Sequence, residues 1–413
     1  MNPARILIVD DAPLARSMSA VLLRKCGYEV LEAADGQQAL EILSRETISL
    51  VISDWIMPHV SGVELCRKIR TTISDHYTYL ILCTSKGEKA DLIEGMDAGA
   101  DDFLVKPISQ EELLVRIRAG ERVLHLERRL AERNRDLSNI NIQLQNAYEQ
   151  IKGDLKAASW MQMNLLPTPS QMILNVTSEW RFRPSSYVAG DMFNIFPIGD
   201  HHVGFYLLDV SGHGVPAAML SVALSLLLRS DSTQESLIRR HNSVTGRYDV
   251  VLPAEVIGNL NRCFQGKDDR YFTITYGFVD SQRQELIFTQ AGNPNPVLIQ
   301  RGKDLTVLGE GGSPVGLLPE AEYETLHTSF CPGDRLMLYS DGVIECANQQ
   351  GDLFGEERLL NYLSATRTEP LSPMLTGLEL EMEQWRGHDE FDDDVSLLAL
   401  EFTEEKQESI GKQ

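Results

Sequence analysis

The stretch VLHLERRLAERNRDLSNINIQLQNAYEQIKGDLKAASWMQMNL, residues 123–165, decides how the rest of the chain is organised. One register of apolar residues repeats every seven positions, and a second register is interrupted by Arg133 and Asp154. The two registers are Val123, Leu130, Leu137, Leu144, Ile151, Ala158 and Leu165, and Leu126, Ile140, Ala147 and Met161. A narrow apolar seam of this period is typical of a helix that pairs with another helix. We therefore predict a helix of on the order of 65 Å that forms a parallel homodimeric coiled coil; a solvated spacer helix is the alternative.

Length and composition limit what lies on either side of this helix. A chain of 413 residues is too long for one core, which favours two domains and a linker. The formal net charge of −22 argues against a nucleic-acid-binding protein, which would need a basic face. Six scattered cysteines without CxxC spacing are typical of a reducing compartment. No signal peptide or membrane span is visible, so we expect a cytoplasmic protein that binds neither nucleic acid nor membrane.

Polar residues follow four short apolar runs within residues 1–120. The runs begin at Arg5, Leu50, Tyr79 and Phe103, and the polar residues at their ends are Asp10, Asp11, Asp54, Thr84 and Lys106. Segments with helical period between the runs predict a parallel sheet, whose strands end at one common edge. Three carboxylates at that edge would need a hard cation such as Mg²⁺. A hydroxyl and an ammonium beside them could hold a phosphoryl group placed on one carboxylate.

This set of residues resembles the receiver domain of two-component response regulators. The motifs that carry the resemblance are Asp10-Asp11, DWIMPHVSG from Asp54, Thr84 and Lys106-Pro107. Asp54, Thr84 and Lys106 follow one another at spacings of 30 and 22 residues. The resemblance implies a doubly wound, five-stranded, flavodoxin-like parallel sheet, with Asp54 accepting phosphate from a histidine kinase or phosphotransfer protein. It also implies that Lys106 contacts the phosphoryl group and that Thr84 and Phe103 form a switch pair. The implied Mg²⁺ ligands are Asp10, Asp11, Asp54 and the Ile56 carbonyl. The alternative is a degenerate receiver that only dimerises.

The sequence changes character after Pro167, which must end the helix. Strand-like segments follow at 203–210, 272–279, 285–290, 297–300 and 335–339, interrupted by helical blocks at 215–229 and 254–264. Mixed strands with a few helices predict an α+β sandwich. We expect the polar stretch 229–250 to be a mobile flap or insertion.

Four aspartates in this half stand next to glycines or apolar strands, so the sheet can fix their positions. They are Asp191 in VAGDMF, Asp209 in LLDVSGHG, Asp341 in LYSDGVIE and Asp393 in FDDDVSLL. Ligand sets of carboxylates alone favour Mg²⁺ or Mn²⁺ over zinc. A pair of such ions can activate water and neutralise phosphate oxygens, so the pattern predicts a metal-dependent hydrolase.

Residues 157–400 resemble the PPM family of metal-dependent serine/threonine phosphatases, in the bacterial branch typified by SpoIIE and RsbU. The motifs are ASWMQMNLLP, AGD, DVSGHG, QAGNPNP, LYSDGVIE and DDVSLL. The resemblance implies that Asp209 bridges two Mn²⁺ or Mg²⁺ ions. It implies that the Val210 carbonyl, Asp191, Asp341 and Asp393 complete the ligand set, with Asp394 the less favoured neighbour.

Two positions of this half leave a question open. Ala189 replaces a glycine that is usual in the family, and its methyl group could shift the turn before Asp191. His213 could act as a general acid or could stabilise its own turn.

Together these patterns predict a response regulator with a receiver at 1–120, a coiled-coil helix at 121–166, a phosphatase at 167–403 and a disordered tail at 404–413. Resemblance to RsbU implies a phosphorylated STAS-type anti-sigma-factor antagonist as substrate, in a partner-switching pathway. The alternative is an RssB-like adaptor, in which a phosphatase-inactive domain binds a sigma factor or anti-sigma protein under receiver control. Loss of the aspartates would identify that state, and all four are present.

Overall fold

The structure is a computed structural model that describes residues 5–72, 76–85, 89–229, 236–265, 270–388 and 390–404, with the side chains of residues 89–91 left aside. Two compact units divide between Ala147 and Tyr148. The tail predicted to be disordered lies outside the described residues beyond residue 404. Among the described residues, no helix combines the length and the apolar character that a membrane crossing requires.

The first unit contains a five-stranded parallel sheet in the order β2-β1-β3-β4-β5. Its elements are β1 (Arg5–Val9), α1 (Pro13–Lys25), β2 (Glu29–Ala33), α2 (Gly36–Arg45), β3 (Leu50–Asp54), α3 (Gly62–Thr72), β4 (Tyr79–Thr84), α4 (Lys89–Asp97), β5 (Asp102–Val105) and the start of α5 (Gln110–Met163).

Both faces of this sheet are covered, which explains why the strands read as continuous apolar runs. Successive side chains of a strand point to opposite faces. Ile6 and Ile8 pack with Leu23 of α1 and Ile117 of α5, and the intervening Leu7 and Val9 pack into a second cluster with residues of α2 and α3. This is the doubly wound α/β fold predicted from the sequence.

The helix α5 runs without interruption from Gln110 to Met163, so it includes nearly all of the heptad stretch. It ends before Pro167, as a proline-terminated helix should. No residue between 125 and 161 is buried in this chain. The seam residues Leu137 and Leu144 are 58% and 66% exposed.

The second unit is a sandwich of two antiparallel sheets, in the orders β16-β13-β12-β9-β8 and β15-β14-β17-β18-β7-β6, with a hairpin β10-β11 beside them. Its strands and helices are β6 (Gln171–Ile173), β7 (Val176–Arg183), β8 (Met192–Ile198), β9 (His202–Val210), α6 (Val215–Leu227), β10 (Arg239–Asn242), β11 (Arg247–Val250), α7 (Pro253–Phe264), β12 (Phe272–Asp280), β13 (Glu285–Ala291), β14 (Val297–Ile299), β15 (Thr306–Val307), β16 (Leu326–Ser329), β17 (Arg335–Tyr339), α8 (Asp341–Ile344), α9 (Gly355–Thr366), α10 (Leu371–Arg386) and β18 (Val395–Phe402).

Alternation along the strands places one core between the sheets and another outside them. On β18, Leu398 and Leu400 belong to the large core that includes β9 and β12, whereas Leu397 and Ala399 pack against α9 and α10. Helices α6 and α7 contact the first sheet and α10 contacts the second. The predicted α+β sandwich is therefore confirmed, with helices outside both sheets.

The structure adds detail to two expectations about local structure. The stretch expected to be a mobile flap or insertion at 229–250 lies between α6 and α7 and contains an antiparallel hairpin, with Arg239 opposite Val250 and Asn242 opposite Arg247. Residues 230–235 of that stretch lie outside the described residues. The sequence also predicted two helical blocks after Pro167, whereas α9 and α10 form a further helical layer.

Candidate metal centres

The acidic pocket of the first unit forms where three parallel strands end. Asp10 and Asp11 follow β1, Asp54 is the last residue of β3 and Lys106 follows β5. The ammonium of Lys106 lies 3.1 Å from a carboxylate oxygen of Asp10 and 2.8 Å from one of Asp54. Burial alone would lower the pKa of Lys106, but its hydrogen bonds and ion pairs with Asp54 and Asp10 outweigh that effect and raise the pKa. The pocket therefore contains a fully charged cation beside its acids.

The donor chemistry of this pocket fits Mg²⁺. Asp10, Asp11 and Asp54 each offer an oxygen, and the three oxygens lie within 4.8 Å of one another; no other set of three His, Cys, Asp or Glu ligands among the described residues is as close. Asp10 is buried and Asp11 is exposed, so an ion would be held at the surface with room for water ligands, as Mg²⁺ prefers. The side chain of Ile56 is 59% exposed, and its carbonyl remains the predicted fourth ligand.

The residues around Asp54 connect it to neighbouring elements. The backbone N–H of Trp55 donates to Asp54 at 2.9 Å, and the Trp55 ring lies against Gly95 of α4, where an added Cβ would come within 2.7 Å of it. Thr84 at the end of β4 is buried. Phe103 is opposite Leu82 in the β4-β5 ladder and half-buried. The predicted switch residues Thr84 and Phe103 thus lie on the neighbouring, paired strands β4 and β5.

The second acidic cluster takes two residues from each sheet of the sandwich. Asp191 precedes β8 and Asp209 is the penultimate residue of β9, both in the first sheet. Asp341 follows β17 by two residues, and Asp393 precedes β18 by two residues, both in the second sheet. A fifth acid, Asp394, is next to the last of them. Four segments that are far apart in sequence therefore bring carboxylates together at one end of the sandwich.

The electrostatics of this cluster show that the carboxylates act on one another. Burial, followed by the charges of Asp341, Asp393 and Asp394, raises the pKa of Asp209 to about 7. Burial and the charge of Asp393 raise the pKa of Asp341 to about 6. Burial and Asp209 raise the pKa of the fully buried Asp191 well above its usual value, and burial raises the pKa of Asp393. Buried, mutually repelling carboxylates of this kind fit divalent cations with oxygen ligands.

Hydrogen bonds and small residues fix the acids in place. The hydroxyl of Ser396 donates to Asp191 at 2.6 Å. A Cβ on Gly190 would lie 2.9 Å from the carbonyl oxygen of Val210. A Cβ on Gly342 would lie 2.2 Å from the carbonyl oxygen of Asp394, the residue before β18. The two turns therefore need glycine at these positions because backbone groups approach so closely.

The consecutive acids before β18 differ in their surroundings. Asp394 is buried, and its two oxygens accept hydrogen bonds from the backbone N–H groups of Ser185 and Gly190 at 2.8 and 2.7 Å. Asp393 is exposed, and its carboxylate accepts a hydrogen bond from the backbone N–H of Asp394 at 2.8 Å. Asp394 therefore holds the loop before Asp191. The carboxylate oxygens of Asp393, the predicted ligand, have lone pairs that could bind a cation.

The two open positions of the sequence analysis can now be placed. Ala189 is fully buried, and both its N–H and its carbonyl are hydrogen-bonded to the side chain of Gln162. His213 is exposed on the loop before α6, and it is among the groups close enough to influence the pKa of Asp393. Sequence reasoning assigned no role to Gln162 or Ser396, although they lie within the motifs ASWMQMNLLP and DDVSLL, because a single glutamine or serine within an apolar pattern has no distinctive spacing.

Comparison with known proteins matches both halves of the chain. The family model for the response regulator receiver domain matches residues 6–118, and the model for stage II sporulation protein E (SpoIIE) matches residues 199–403. The resemblances to a receiver domain and to the SpoIIE-type phosphatases that the motifs predicted are thereby confirmed for these two segments.

Individual relatives cover one half each. The phosphate regulon transcriptional regulatory protein PhoB of Pseudomonas aeruginosa is 41% identical over 114 residues, which are 28% of this chain and 50% of PhoB. Response regulator MprA of Mycolicibacterium vanbaalenii is 41% identical over 117 residues, with the same coverage. The chain thus spans about half the length of the curated relatives it matches. The solved SiaA-PP2C domain of Pseudomonas aeruginosa has a TM-score of 0.52 at 20% identity, covering 62% of this chain and 98% of that domain. This likeness establishes the PP2C fold of the second unit.

The repulsion within the second cluster leads to a prediction about stability. We expect Mn²⁺ to raise the melting temperature of metal-depleted protein, because ions that bind only the folded state stabilise it by about 2.7 kcal/mol at 100 times their dissociation constant. Asp209→Asn should melt at a higher temperature than wild type without metal, since it removes one of the repelling charges, and should gain less from Mn²⁺. Calorimetry of the full chain measures both, because the receiver site is the same in each protein.

The control is Asp304→Asn, which changes an exposed acid of the same unit. It should leave both melting temperatures as in wild type. A Mn²⁺ shift in Asp209→Asn equal to that of wild type would contradict the assignment of Asp209 as a ligand.

Proposed function

We propose that this chain, in which a response-regulator receiver domain is joined to a SpoIIE-type PP2C phosphatase domain, is a metal-dependent phosphatase of protein phosphoserine or phosphothreonine that is controlled by phosphorylation of Asp54. The observation that carries the proposal is the convergence of Asp191, Asp209, Asp341 and Asp393 at one end of the sandwich. The functional parts are the receiver at 1–120, the helix at 121–166 and the phosphatase at 167–403.

The chemistry assigned to the cluster is hydrolysis of a phosphate ester. Two bound Mn²⁺ or Mg²⁺ ions would lower the pKa of a water molecule and neutralise phosphate oxygens. Asp209, which would hold both ions, lies among carboxylates of both sheets that act on its pKa. Asp191, Asp341 and Asp393 would hold the ions from either side, with the carbonyl of Val210. A water molecule would attack phosphorus and release a proton, the bond from phosphorus to the serine oxygen would break, and that oxygen would take up a proton. His213, exposed on the loop before α6, is one candidate to supply that proton, and stabilising its own turn is the alternative.

The receiver part of the proposal rests on the pocket around Asp54. Asp10 and Asp11 would hold Mg²⁺ with Asp54, while Lys106, now bound to Asp54 and Asp10, would turn to an oxygen of the phosphoryl group. Thr84 and Phe103 would respond to that group on the neighbouring strands. The phosphate donor is a histidine kinase or phosphotransfer protein.

The substrate is the least direct part of the proposal. Resemblance to the SpoIIE and RsbU branch supports a phosphorylated STAS-type anti-sigma-factor antagonist and a partner-switching pathway. The cytoplasmic location expected from the cysteine pattern agrees with such a pathway and stays a prediction.

Activity is tested with a phosphoserine protein and Mn²⁺. We expect wild type to release phosphate and Asp209→Asn and Asp341→Asn to lose about 100-fold or more of the rate, since loss of a ligand removes several kcal/mol of charge stabilisation and each 1.4 kcal/mol is about tenfold. Asp304→Asn is again the matched control. Wild-type protein that binds Mn²⁺ but releases no phosphate from any phosphoserine or phosphothreonine protein would favour the adaptor.

Phosphorylation is tested with acetyl phosphate and Mg²⁺, followed by mass measurement of the intact protein. We expect one phosphate adduct on wild type and none on Asp54→Asn, because Asp10 and Asp11 are assigned to the metal. Beryllofluoride, which mimics the acyl phosphate, should increase phosphatase activity of wild type and leave Asp54→Asn unchanged. An adduct of equal yield on the variant would show that another residue accepts the phosphate.

The helix α5 is proposed to pair with a second copy of itself. Its seam residues are apolar but exposed in the single chain, and interruptions at Arg133 and Asp154 weaken the seam enough for two arrangements to lie within a few kcal/mol of each other. Phosphorylation would select one arrangement.

Charges placed in the seam should abolish pairing and with it the response to beryllofluoride. The variant is Leu137→Asp with Leu144→Asp, measured by sedimentation and by the rate with and without beryllofluoride. Ile142→Asp is the control, because Ile142 is 57% exposed but outside both registers. A monomeric double variant that still responds fully would rule out signalling through pairing.

A further inference from the structure

One buried glutamine connects helix α5 to the loop that carries Asp191. Gln162 is in the last turn of α5 and is 4% exposed. Its amide nitrogen donates to the carbonyl of Ala189 at 2.8 Å, and its amide oxygen accepts the N–H of Ala189 at 3.0 Å. The same nitrogen lies 3.5 Å from the hydroxyl oxygen of Ser221 on α6. A single side chain therefore satisfies both backbone groups of a residue two positions before a predicted metal ligand.

The opposite side of this loop is attached to the sandwich itself. Asp394 accepts the N–H of Gly190 at 2.7 Å and the N–H and hydroxyl of Ser185 at 2.8 and 3.0 Å. Gly190 in turn approaches the carbonyl of Val210 closely. The segment from Ser185 to Gly190 is thus fixed at both of its ends by Asp394 and at Ala189 by a side chain of α5.

The position of Gln162 on the helix is unusual. Between residues 125 and 161 no side chain of α5 is buried, and Gln162 is the first buried residue after that exposed stretch. The core could have accepted a leucine or methionine there. A glutamine is costly to bury unless both of its polar atoms are paired, and here they are paired with the ligand loop.

Breaking this pairing would be an all-or-none event. If α5 turned or shifted, the N–H and carbonyl of Ala189 and the amide of Gln162 would lose their partners, and leaving buried polar groups unpaired is unfavourable. The loop therefore has one favourable position for a given position of α5. Two discrete arrangements, not a continuous drift, are what a switch requires.

We infer that Gln162 is a positioning residue that sets Asp191 for metal binding and so makes the affinity of the phosphatase site for its ions depend on the position of α5. This inference rests on the proposed function and names the contact through which its regulation acts. Gln162 touches neither the substrate nor the ions. Its effect passes through Ala189 and Gly190 to Asp191.

The test compares full-length wild type with Gln162→Leu and Gln162→Glu. Leucine removes both hydrogen bonds, whereas glutamate keeps the acceptor for the Ala189 N–H and places a second oxygen against the Ala189 carbonyl. Gln150→Leu is the control, because Gln150 is on the same helix and exposed. Bound Mn²⁺ is counted by electron paramagnetic resonance, and hydrogen–deuterium exchange is followed in the peptide covering residues 185–192, with and without beryllofluoride.

We expect the Gln162 variants to bind Mn²⁺ about 10–100-fold more weakly at the phosphatase site, the range found when a residue supporting a metal ligand is lost. The receiver site and Gln150→Leu should bind as in wild type. Exchange at 185–192 should be faster in both variants. Beryllofluoride should change that exchange in wild type and not in Gln162→Leu. In a phosphatase assay the variants should need more Mn²⁺ for half-maximal rate, with a smaller change in the rate at saturating metal.

Wild-type Mn²⁺ affinity in a folded Gln162→Leu protein would overturn the inference. So would exchange at 185–192 in wild type that is indifferent to beryllofluoride, a result that needs no variant and therefore decides the matter even if Gln162→Leu does not fold. Neither measurement depends on catalysis. A protein that passes both but hydrolyses no phosphoprotein would refute the proposed activity and leave the role of Gln162 standing.

Discussion

Both units hold carboxylates that repel one another close together, and the rest of the structure depends on this arrangement. In both units the backbone imposes this arrangement, because the acids stand on strands or within two residues of a strand end and cannot move apart without disturbing a sheet. The stabilisation must then come from cations. The receiver pocket has its own cation in Lys106, bound to Asp10 and Asp54. In the sandwich, burial and neighbouring acids raise the pKa of Asp209 to about 7. A divalent cation bound there would offset the repulsion between the carboxylates and favour their ionised form.

Much of this arrangement could be predicted from the sequence because it depends on local patterns. Strands buried on both faces read as apolar runs, and the residue that follows each run must lie at the sheet edge, which is why Asp10, Asp54, Thr84 and Lys106 could be grouped. The seven-residue period of the long helix is equally local. Strand β2 was not named because its sequence, EVLEA, has glutamates at two of five positions. It pairs on one side only, as an edge strand, and such strands need no continuous apolar run.

The remaining features depend on contacts between distant segments, and no local pattern encodes them. The sequence DDD at 392–394 does not tell which carboxylate enters the metal site. The structure separates Asp393 from Asp394 because the N–H groups of Ser185 and Gly190, about two hundred residues earlier, occupy the latter. The same holds for Gln162, whose partner Ala189 is 27 residues away. A glutamine in a polar helix is expected to be exposed. Gln162 is buried because the loop that contains Ala189 folds against it.

These distant contacts connect the end of α5, a helix without a buried side chain for much of its length, to the loop that carries the proposed ligand Asp191. If α5 transmits a change of position, as proposed, it does so through the side chains fixed at its end, and Gln162 is one of these. The methyl group of Ala189, which departs from the usual glycine, fits this arrangement, because the residue's backbone is held on both its N–H and its carbonyl. A glycine there would leave the loop more freedom; alanine restricts the loop to fewer conformations, and a restricted loop follows the helix more closely. The departure from the family pattern at Ala189, whose methyl group could shift the turn but should not remove the ligand Asp191, therefore agrees with the proposed coupling between α5 and Asp191.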